Sequence, residues 1–490
     1  MSIDNLVSAA LQNYGADFFP AQNLLAETFT SADDDEVQQV WREVSKTLYD
    51  TNYAEPATIT ESTKSGAMEP GAVYQAANVP ASLPSRDFDV AAIRSDFPIL
   101  SERVHGKPLV WFDNGATTQK PSAVINRLKY FYEHENSNVH RGAHDLAARS
   151  TDAYENAREI VRRFINASST NEIVFVRGTT EAINLVAATW GRDNVHAGDE
   201  IVISNLEHHA NIVPWQLLAQ DTGAVIKVIP VDANGDLLLN EYTNLLKSGK
   251  VKIVAVTQVA NAIGTVTPME EISRLAHQFG AAIIVDGAQS VSHIPTNVQT
   301  LDADFFVFSG HKIFAPTGVG VLYGKEALLN AMRPYQGGGG MISDVTFEKT
   351  VYQPAPVRFE AGTGNIAGAV GLGAALEYVS TIGIEAIRQY EHRLLEYARK
   401  LLEPVPGVQI VGNPRERAGV VSFVHDRYST EDIGKALAVE GIALRAGHHC
   451  AQPILRRYGL ESTVRPAFAF YNTFEEVDFF AKKLKDYVAR

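Results

Sequence analysis

Short β-branched runs recur along the chain from residue 87 onward and alternate with longer stretches of helical periodicity. The clearest runs are EIVFVRG, EIVISN, VKIVAVTQ and AAIIVDGAQ, and an aromatic run, Phe305 to Phe308, follows them. Apolar strands that alternate with helices are typical of a largely parallel sheet covered on both faces. The pattern therefore predicts an α/β fold, in which ligands bind beyond the carboxyl ends of the strands.

Before residue 87 the pattern changes, and a helix followed by an unpatterned segment is predicted. The stretch ADDDEVQQVWREVSKTLY has Asp33 and Glu36 at the spacing of a capping box. Its apolar residues fall on one face of the helix: Val37, Trp41, Val44 and Leu48. The segment after it is rich in Pro, Gly, Ser, Thr and Ala and is interpreted as a flexible linker. Residues 1–86 are either a solvated acidic tail or a docking element whose apolar helix face awaits a partner.

Composition narrows the class of protein. A chain of 490 residues can bury a large core without disulfides, and a single cysteine excludes an internal one. No apolar run reaches the roughly 18 residues of a membrane span, and the N-terminus lacks the pattern of a secretory signal, so a cytoplasmic location is expected. The formal net charge of -14 opposes non-specific binding to nucleic acid or to an anionic membrane, although a local basic pocket for a phosphate or carboxylate is allowed.

Two strand ends carry groups that suit a charged ligand. After EIVFV, the residues Gly178, Thr179 and Thr180 open a helix whose free N–H groups suit a phosphate. The plain alternative is a threonine N-cap with a glutamate three residues on. After AAIIV, Asp286 ends an apolar run, and a half-buried carboxylate there needs a cationic partner.

Adjacent histidines occur twice. His208 and His209 follow the run EIVIS, and because neighbouring residues of a regular helix cannot both face one metal, a packed aromatic ring is favoured over a zinc site. His448 and His449 precede Cys450 in RAGHHCAQP. That thiol is a nucleophile, half of a metal site, or simply packed, since free cysteines are among the most buried residues. The local pattern leaves these three interpretations open.

The stretch ADFFVFSGHKIFAPTGVG brings a lysine to the end of the aromatic run. Lys312 there lies close to apolar surroundings, where a lysine has a depressed pKa and can form a Schiff base with an aldehyde. An ordinary surface lysine is the plain alternative. Pyridoxal 5′-phosphate needs an amine for its aldehyde, an acid for its pyridine nitrogen, a phosphate site and a flat side chain over its ring. The residues that supply these in turn are Lys312, Asp286, Thr180 with Ser309, and His208.

From about residue 87 to residue 490 the sequence resembles the group II, SufS-type cysteine desulfurases of the class V aminotransferase family. The order and spacing of short motifs carry the resemblance: NVHRGAH, FVRGTTEAINLVA, LEHHANIVPWQ, VDGAQS, FSGHK, RFEAGT and RAGHHCAQP. It implies an aspartate aminotransferase-like fold, fold type I, with a mostly parallel central sheet in a large domain of residues 111–377. A smaller α+β domain would combine residues 87–110 and 378–490, and residues 1–86 would be an extra N-terminal extension.

The resemblance implies a role for each residue that matches the family motifs. The catalytic residues would be Lys312, which carries the cofactor aldehyde, His208, which stacks on the ring, and Cys450. Asp286 would pair with the pyridinium and Gln289 would contact the ring oxygen. The residues that would hold the phosphate are Thr179, Thr180, Ser309 and His311, with Thr363 reaching the phosphate of the other subunit of a homodimer. The residues that would bind the substrate are Arg465, Asn261, Arg445, His140 and Arg141.

By the same resemblance, Cys450 attacks the sulfur of bound L-cysteine and keeps it as a persulfide while L-alanine leaves. A cationic neighbourhood from Arg445 and His449 would raise the thiolate fraction of Cys450. The near alternative is a related lyase or aminotransferase on the same fold. The distant one is a metal-binding protein that uses His448, His449 and Cys450, which lacks a compact fourth ligand.

The implied setting is iron–sulfur cluster assembly or sulfur storage and trafficking, with selenocysteine lyase activity as an additional expectation. The expected partners are L-cysteine, a second copy of the chain, and a sulfur acceptor that resembles SufE or SufU. Residues 1–86 would bind a scaffold or protein-shell partner, so the enzyme would work in the cytoplasm or inside a protein compartment.

Overall fold

The computed structural model of the chain describes residues 88–139 and 144–490. The predicted helix with the apolar face of Val37, Trp41, Val44 and Leu48, and the linker after it, lie outside the described residues. The candidate substrate residues His140 and Arg141 also lie outside them.

The described part of the chain contains both short and long strands. In chain order they are β1 (Arg103–Val104), β2 (Lys107–Pro108), β3 (Val110–Trp111), β4 (Ile173–Val176), β5 (Glu200–Ser204), β6 (Val225–Ile229), β7 (Val251–Thr257), β8 (Ala282–Asp286), β9 (Phe305–Ser309), β10 (Gly320–Gly324), β11 (Ile342–Val345), β12 (Thr350–Tyr352), β13 (Val408–Ile410), β14 (Phe423–His425), β15 (Ile442–Ala443), β16 (Arg445–Gly447) and β17 (Thr463–Arg465).

Helices separate most of these strands. The α-helices are α1 (Val90–Ser95), α2 (Ser122–Tyr130), α3 (Asp145–Phe164), α4 (Thr179–Val186), α5 (Arg192–Asn194), α6 (Val213–Thr222), α7 (Leu239–Leu246), α8 (Met269–Gln278), α9 (Glu326–Ala331), α10 (Ile366–Ile382), α11 (Ile384–Leu402), α12 (Thr430–Val439), α13 (Gln452–Arg457) and α14 (Phe474–Val488). Single 3₁₀ turns cover Pro98–Ser101, Thr170–Glu172, His209–Asn211, Ser290–Ser292, Gly310–Lys312 and Val357–Phe359, and π-helical turns cover Phe131–Glu135 and Ala187–Gly191.

A seven-stranded sheet forms the centre of the fold, in the order β4-β10-β9-β8-β7-β5-β6. The neighbours from β9 to β6 pair in parallel, whereas β10 runs antiparallel to both β9 and β4. Strands β5, β9 and β10 are buried along their whole length, because apolar clusters cover both faces of the sheet. The predicted α/β fold with a mostly parallel sheet is therefore confirmed.

The register of the central strands sets where the polar residues at their ends lie. Asp286, the last residue of β8, stands opposite Thr257 of β7 and opposite Val307 of β9. Ser309 ends β9 two residues beyond that point. The carboxyl ends of three neighbouring strands thus meet at one edge of the sheet, where a ligand site is expected.

Helix α10 is the central helix of the larger apolar cluster and packs against α2 and α3. A Cβ added at Gly373 of α10 would lie 3.3 Å from Ala157 of α3, so glycine lets the two helices approach closely. Among the described residues, no single helix is long and apolar enough to cross a membrane. The bent pair of α10 and α11 meets the criterion on length and composition only, and α10 is largely buried against protein.

A second sheet, of four strands in the order β13-β14-β17-β16, lies in the C-terminal part of the chain. Helix α12 packs on β16 and β17, and α14 packs on α11 and α12. Arg445 and Arg465 stand opposite each other where β16 pairs with β17. Strand β3 pairs in parallel with β15, so a strand from the early part of the described chain pairs with one from its C-terminal part. The domain boundaries drawn from the family resemblance stay a prediction.

The glycine after Asp286 offers a test of packing at this edge of the central sheet. A Cβ added at Gly287 would lie 2.1 Å from Cζ of the buried ring of Phe306, so Gly287→Ala must displace that ring. We expect Gly287→Ala to lower the free energy of unfolding by about 1–3 kcal/mol, as overpacked core positions do. Urea denaturation measures the change.

Gly337→Ala is the matched control, because a Cβ there would meet no atom within 4 Å. We expect it to stay within about 0.5 kcal/mol of the parent chain. Equal destabilisation by the two substitutions would contradict the packing argument.

Candidate active site

Lys312 lies at the edge of the central sheet, in the 3₁₀ turn that follows β9. The turn is anchored from outside, since Thr118 N–H donates to the His311 carbonyl at 2.9 Å and Thr117 Oγ1 donates to it at 3.1 Å. Burial lowers the pKa of Lys312 to about 8, against an opposing contribution from Asp286. The amine is therefore much more available than that of a surface lysine, as its position after an aromatic strand predicts.

Asp286 is 3% exposed, and its Oδ1 accepts a hydrogen bond from Ala288 N–H at 2.9 Å. Burial raises its pKa, while the bond from Ala288 and the positive charge of Lys312 act in the opposite direction. Lys312 is thus the cationic neighbour that the sequence requires for this carboxylate.

The predicted phosphate loop joins β4 to α4, and only one of its two threonines turns inward. Thr179 N–H donates to Ser309 Oγ at 2.9 Å, and the two hydroxyls are also 2.9 Å apart. Thr180 is exposed on the first turn of the helix. Gly178 is the N-cap and has no side chain to cap the helix, so the alternative of a threonine N-cap is wrong. The backbone N–H groups of Thr180 and Glu181, the next two residues of the first turn, can still bind an anion.

His311 and Lys120 lie close to each other beside this loop. Burial, Lys312 and Lys120 together lower the pKa of His311 to about 4, so its ring is neutral. Burial lowers the pKa of Lys120 to about 8, and its ammonium donates to the Thr118 carbonyl. Lys120 was not predicted from the sequence, because its only local signal is its place beside Pro121 before α2.

His208 ends the segment that follows β5, and a buried glutamate beside it ties that segment to the sheet. Burial is the main cause that lowers the pKa of His208 to about 3, so the ring is neutral, and its Nδ1 accepts from Ala210 N–H at 3.0 Å. Glu207 is fully buried, and burial raises its pKa to about 8; its carboxyl group accepts from Thr257 N–H at 3.1 Å and from Asn211 Nδ2 at 2.6 Å. Glu207 was not predicted from the sequence, although an acidic residue between a buried strand and two histidines is a signal of a functional site.

Gln289 and Asn261 are buried and engaged with backbone carbonyls. Gln289 Nε2 donates to the Gly115 carbonyl at 2.8 Å. Asn261 Nδ2 donates to the His449 carbonyl at 2.7 Å, while Asn261 Oδ1 has no hydrogen-bond partner in the structure. A buried acceptor without a partner is uncommon and suits a ligand that donates to it.

Arg465 is 1% exposed and is held at the same edge by Asn261 and Asp113. Its Nη1 donates to the Asn261 carbonyl at 2.9 Å, its Nη2 lies 3.7 Å from Asp113 Oδ1, and its Nε has no partner in the structure. Arg445 is exposed, and its Nη2 lies 3.2 Å from Asp113 Oδ2. The two arginines therefore share one carboxylate, which leaves a net positive charge. Asp113 was not predicted from the sequence, because no local pattern marks it as the partner of the two arginines.

Cys450 lies in the turn between β16 and α13 and is half-buried. Both His449 and Cys450 have left-handed backbones, with φ of 52° and 54°. The imidazole of His449 is buried against Thr463, 2.8 Å from its Oγ1, and burial is the main cause that lowers its pKa to about 2. The expectation that His449 adds positive charge beside the thiol is therefore wrong, and Lys312 and Arg465 are the cations that interact with Cys450.

In the alternative metal site, His449 Nε2 is directed at Thr463 and is not available as a ligand. Across residues 88–139 and 144–490, no group of three His, Cys, Asp or Glu side chains is arranged to hold a metal ion. Thr363 is exposed, and its Oγ1 lies 3.4 Å from Asn138 Oδ1. Its expected contact with the other subunit stays a prediction.

The residues gathered at this edge fit pyridoxal 5′-phosphate. A partly exposed lysine with a low pKa, a buried carboxylate, two hydroxyls at a helix N-terminus and a neutral histidine ring are the groups that this cofactor needs. The unpartnered Arg465 Nε and Asn261 Oδ1 then remain for a substrate.

Comparison with known proteins points to one family. The sequence profile of the family described as aminotransferase class-V matches residues 110–480. The chain is 65% identical over 398 residues to a cysteine desulfurase of Synechococcus elongatus. The aligned region covers 81% of this chain but only 63% of that protein. It is 51% identical over 392 residues to a cysteine desulfurase of Escherichia coli, covering 80% of this chain and 96% of that one. The chain thus spans less than two thirds of the Synechococcus protein.

A solved structure agrees with the sequence comparison. The apo cysteine desulfurase of Thermococcus onnurineus superimposes with a TM-score of 0.78 at 38% identity, over 84% of this chain and 100% of that one. The resemblance to cysteine desulfurases inferred from the motifs, and the fold that it implies, are confirmed, whereas the group II, SufS-type subtype and the N-terminal extension stay predictions.

Proposed function

Because the chain belongs to the aminotransferase class-V family, we propose that it is a pyridoxal-phosphate-dependent cysteine desulfurase that keeps sulfur as a persulfide on Cys450. The observation that carries the proposal is the position of Cys450. Burial lowers the pKa of both Lys312 and Arg465, and a Cys450 thiolate opposes that shift in each. The thiol therefore belongs to the same electrostatic site as the cofactor lysine and the buried arginine.

The buried arginine supports an amino acid as the substrate. Among the residues that the structure describes, neither the Nε–H of Arg465 nor Oδ1 of Asn261 beside it has a hydrogen-bond partner. A carboxylate can bind the planar guanidinium with two parallel hydrogen bonds. Asp113 is shared between Arg465 and Arg445, so one positive charge of the two arginines is not neutralised. The bound carboxylate would also neutralise that charge.

Each polar group of the site then has a defined task. Pyridoxal phosphate, when bound, supplies an aldehyde for the substrate amine and a ring that withdraws electrons from the α-carbon. Asp286 holds a proton on the pyridine nitrogen, and the neutral ring of His208 provides a flat surface. Lys312 Nζ, with its pKa near 8, takes the α-proton and later returns a proton to carbon.

Cys450 carries out the sulfur transfer itself. Its thiolate attacks the sulfur of the substrate; an S–S bond forms, the bond from Cβ to sulfur breaks, and the electron pair stays on carbon. That carbon takes a proton and leaves as the methyl group of L-alanine. The sum is one cysteine and one enzyme thiol giving alanine and one enzyme persulfide, so no external oxidant is needed.

The product assay tests this function directly. Purified enzyme with L-cysteine and a thiol reductant should release alanine and sulfide in equal amounts. L-Serine is the matched substrate control, since it differs from cysteine only in the atom that Cys450 attacks. Transfer of the amino group to an added keto acid, without sulfide, would instead favour an aminotransferase.

Arg465→Lys should raise the KM for L-cysteine about 10- to 100-fold, because lysine keeps the charge but lacks the fork that binds both carboxylate oxygens. Steady-state kinetics measure the change. Arg456→Lys is the control: Arg456 is exposed and pairs with Glu461, so its KM should not move. An unchanged KM in Arg465→Lys would remove the arginine from substrate binding.

The wider setting is also proposed. The enzyme acts as a cytoplasmic homodimer, passes its persulfide to an acceptor that resembles SufE or SufU, and serves iron–sulfur assembly or sulfur trafficking, with selenocysteine as a second substrate. Residues 1–86 would recruit a scaffold or protein shell through their predicted apolar helix face. Pull-down with the full chain and with a chain lacking residues 1–86 tests this recruitment, which fails if both recover the same proteins.

A further inference from the structure

Two histidines of the paired motifs have no part in the chemistry above. His209 lies in the 3₁₀ turn after β5, and His448 lies in the turn after β16. The structure brings their rings face to face, with centroids 5.8 Å apart and planes inclined by 30°. Each motif therefore contributes one histidine to this pair, and the pair joins the central sheet to the turn that carries Cys450.

Backbone groups on both sides of the thiol are bonded to this pair. His209 N–H donates to the Cys450 carbonyl at 2.7 Å, and Cys450 N–H donates to His448 Nδ1 at 3.0 Å. Gln452 N–H donates to His209 Nε2 at 3.4 Å. In two of these three bonds a ring nitrogen is the acceptor, so they exist only while each imidazole is neutral at that atom.

The turn needs such contacts to keep its shape. Left-handed φ values at two successive residues with side chains, His449 and Cys450, cost of the order of a few RT relative to relaxed backbone. A strained turn persists only where its surroundings hold it. Release of the two ring bonds would therefore let the turn relax away from the site.

We propose that His209 and His448 form a clasp that holds the Cys450 turn closed, and that protonation of either ring opens it. The proposal rests on the function assigned to Cys450 above and adds a conformational step to it. With the clasp closed, the thiol faces Lys312 and Arg465. With the clasp open, a persulfide on Cys450 is exposed to an acceptor protein.

The surroundings of His209 favour its neutral form, in which the clasp is closed. His209 is faced by His208 and His448, and His448 is faced by His209, His449 and the carboxylate of Glu461. Burial and then His448 lower the pKa of His209. In an open turn His209 regains the ordinary histidine pKa of about 6.5. The open form therefore binds more protons, and it gains population as the pH falls through that value.

Alkylation of the thiol tests the clasp without relying on sulfur transfer. The chain contains a single cysteine, so iodoacetamide labelling of the holoenzyme, followed by intact mass, reports on Cys450 alone. Replacing both rings, His209→Ala with His448→Ala, should speed labelling about fivefold near neutral pH, because two backbone hydrogen bonds are lost.

A conservative pair separates the clasp from a merely structural role. His209→Gln places an amide oxygen where Nε2 accepts, and His448→Asn does so at Nδ1, yet neither amide takes up a proton. This pair should label at the wild-type rate at about pH 8 and several-fold more slowly than wild type at about pH 5.5. His392→Asn, an exposed histidine on α11, is the control and should follow wild type at both pH values.

Equal labelling rates for wild type, the alanine pair and the amide pair at both pH values would overturn the clasp. If the alanine pair loses the cofactor absorbance, it is misfolded and its labelling rate is not used. The comparison of the amide pair with wild type then tests the clasp by itself. Desulfuration is assayed separately. Absence of alanine from the wild-type enzyme would refute the proposed function, whereas the labelling result would still stand.

Discussion

Cys450→Ser is expected to abolish desulfuration of L-cysteine, with turnover reduced on the order of a thousandfold or more, as for loss of other covalent nucleophiles. Serine keeps the shape of the side chain but replaces a thiolate that attacks sulfur with a hydroxyl that is not ionised at neutral pH. The substrate should still bind, because Arg465, Asn261 and Lys312 are untouched. Alanine, sulfide and the enzyme persulfide, detected by mass spectrometry, should all disappear.

Two further measurements make this variant informative. The absorbance of its cofactor at about 420 nm should match that of the parent enzyme and should still change when L-cysteine is added. Both results would demonstrate an intact site. Selenocysteine should keep a measurable rate, because its carbon–selenium bond is weaker and its cleavage needs less help from the nucleophile. Normal production of alanine from L-cysteine by Cys450→Ser would mean that another group accepts the sulfur.

Lys312→Ala is the second substitution with a very large expected effect. It removes both the amine that carries the cofactor aldehyde and the base for the α-proton, so turnover should fall by roughly 10⁴-fold or more. Borohydride reduction should no longer attach the cofactor to the chain, whereas the cofactor should be found on Lys312 in the parent enzyme. Peptide mapping after reduction locates the adduct.

Lys247→Ala is the matched control for that experiment. Lys247 is exposed at the end of α7, and its loss should leave the adduct on Lys312 and the turnover unchanged. The fold of Lys312→Ala is checked by its thermal unfolding. An adduct on a lysine other than Lys312 in the parent enzyme would refute the assignment.

The residues that sequence alone identified are those with a distinctive local setting. Asp286 ends an apolar strand and Lys312 comes three residues after another, at positions where a charged side chain is unusual, and Cys450 belongs to a distinctive motif. The mostly parallel sheet was also predictable, because its strands are buried on both faces and read as apolar runs. The reversed direction of β10 was not, since its sequence is as apolar as that of its parallel neighbours.

The residues that sequence missed act through contacts distant along the chain. The role of Asp113 depends on its ion pairs with Arg445 and Arg465, which lie more than 300 residues away and contact it only in the folded chain. The charge of His449 likewise depends on its burial against Thr463. A motif names the residue types at a site, but burial and long-range pairing decide which of them are charged.

The order of the active-site residues along the chain has a consequence for biosynthesis. Lys312 and Asp286 belong to the central sheet, whereas Cys450 and Arg465 arrive with the second, C-terminal sheet. At about 5–20 residues per second, a ribosome needs roughly 7 to 28 s to pass from the lysine to the cysteine. During that interval the nascent chain already contains the aldehyde-binding lysine but not yet Cys450, and Arg465 follows later still. Cofactor loading that waits for the complete chain would avoid side reactions with free amino acids in the cell.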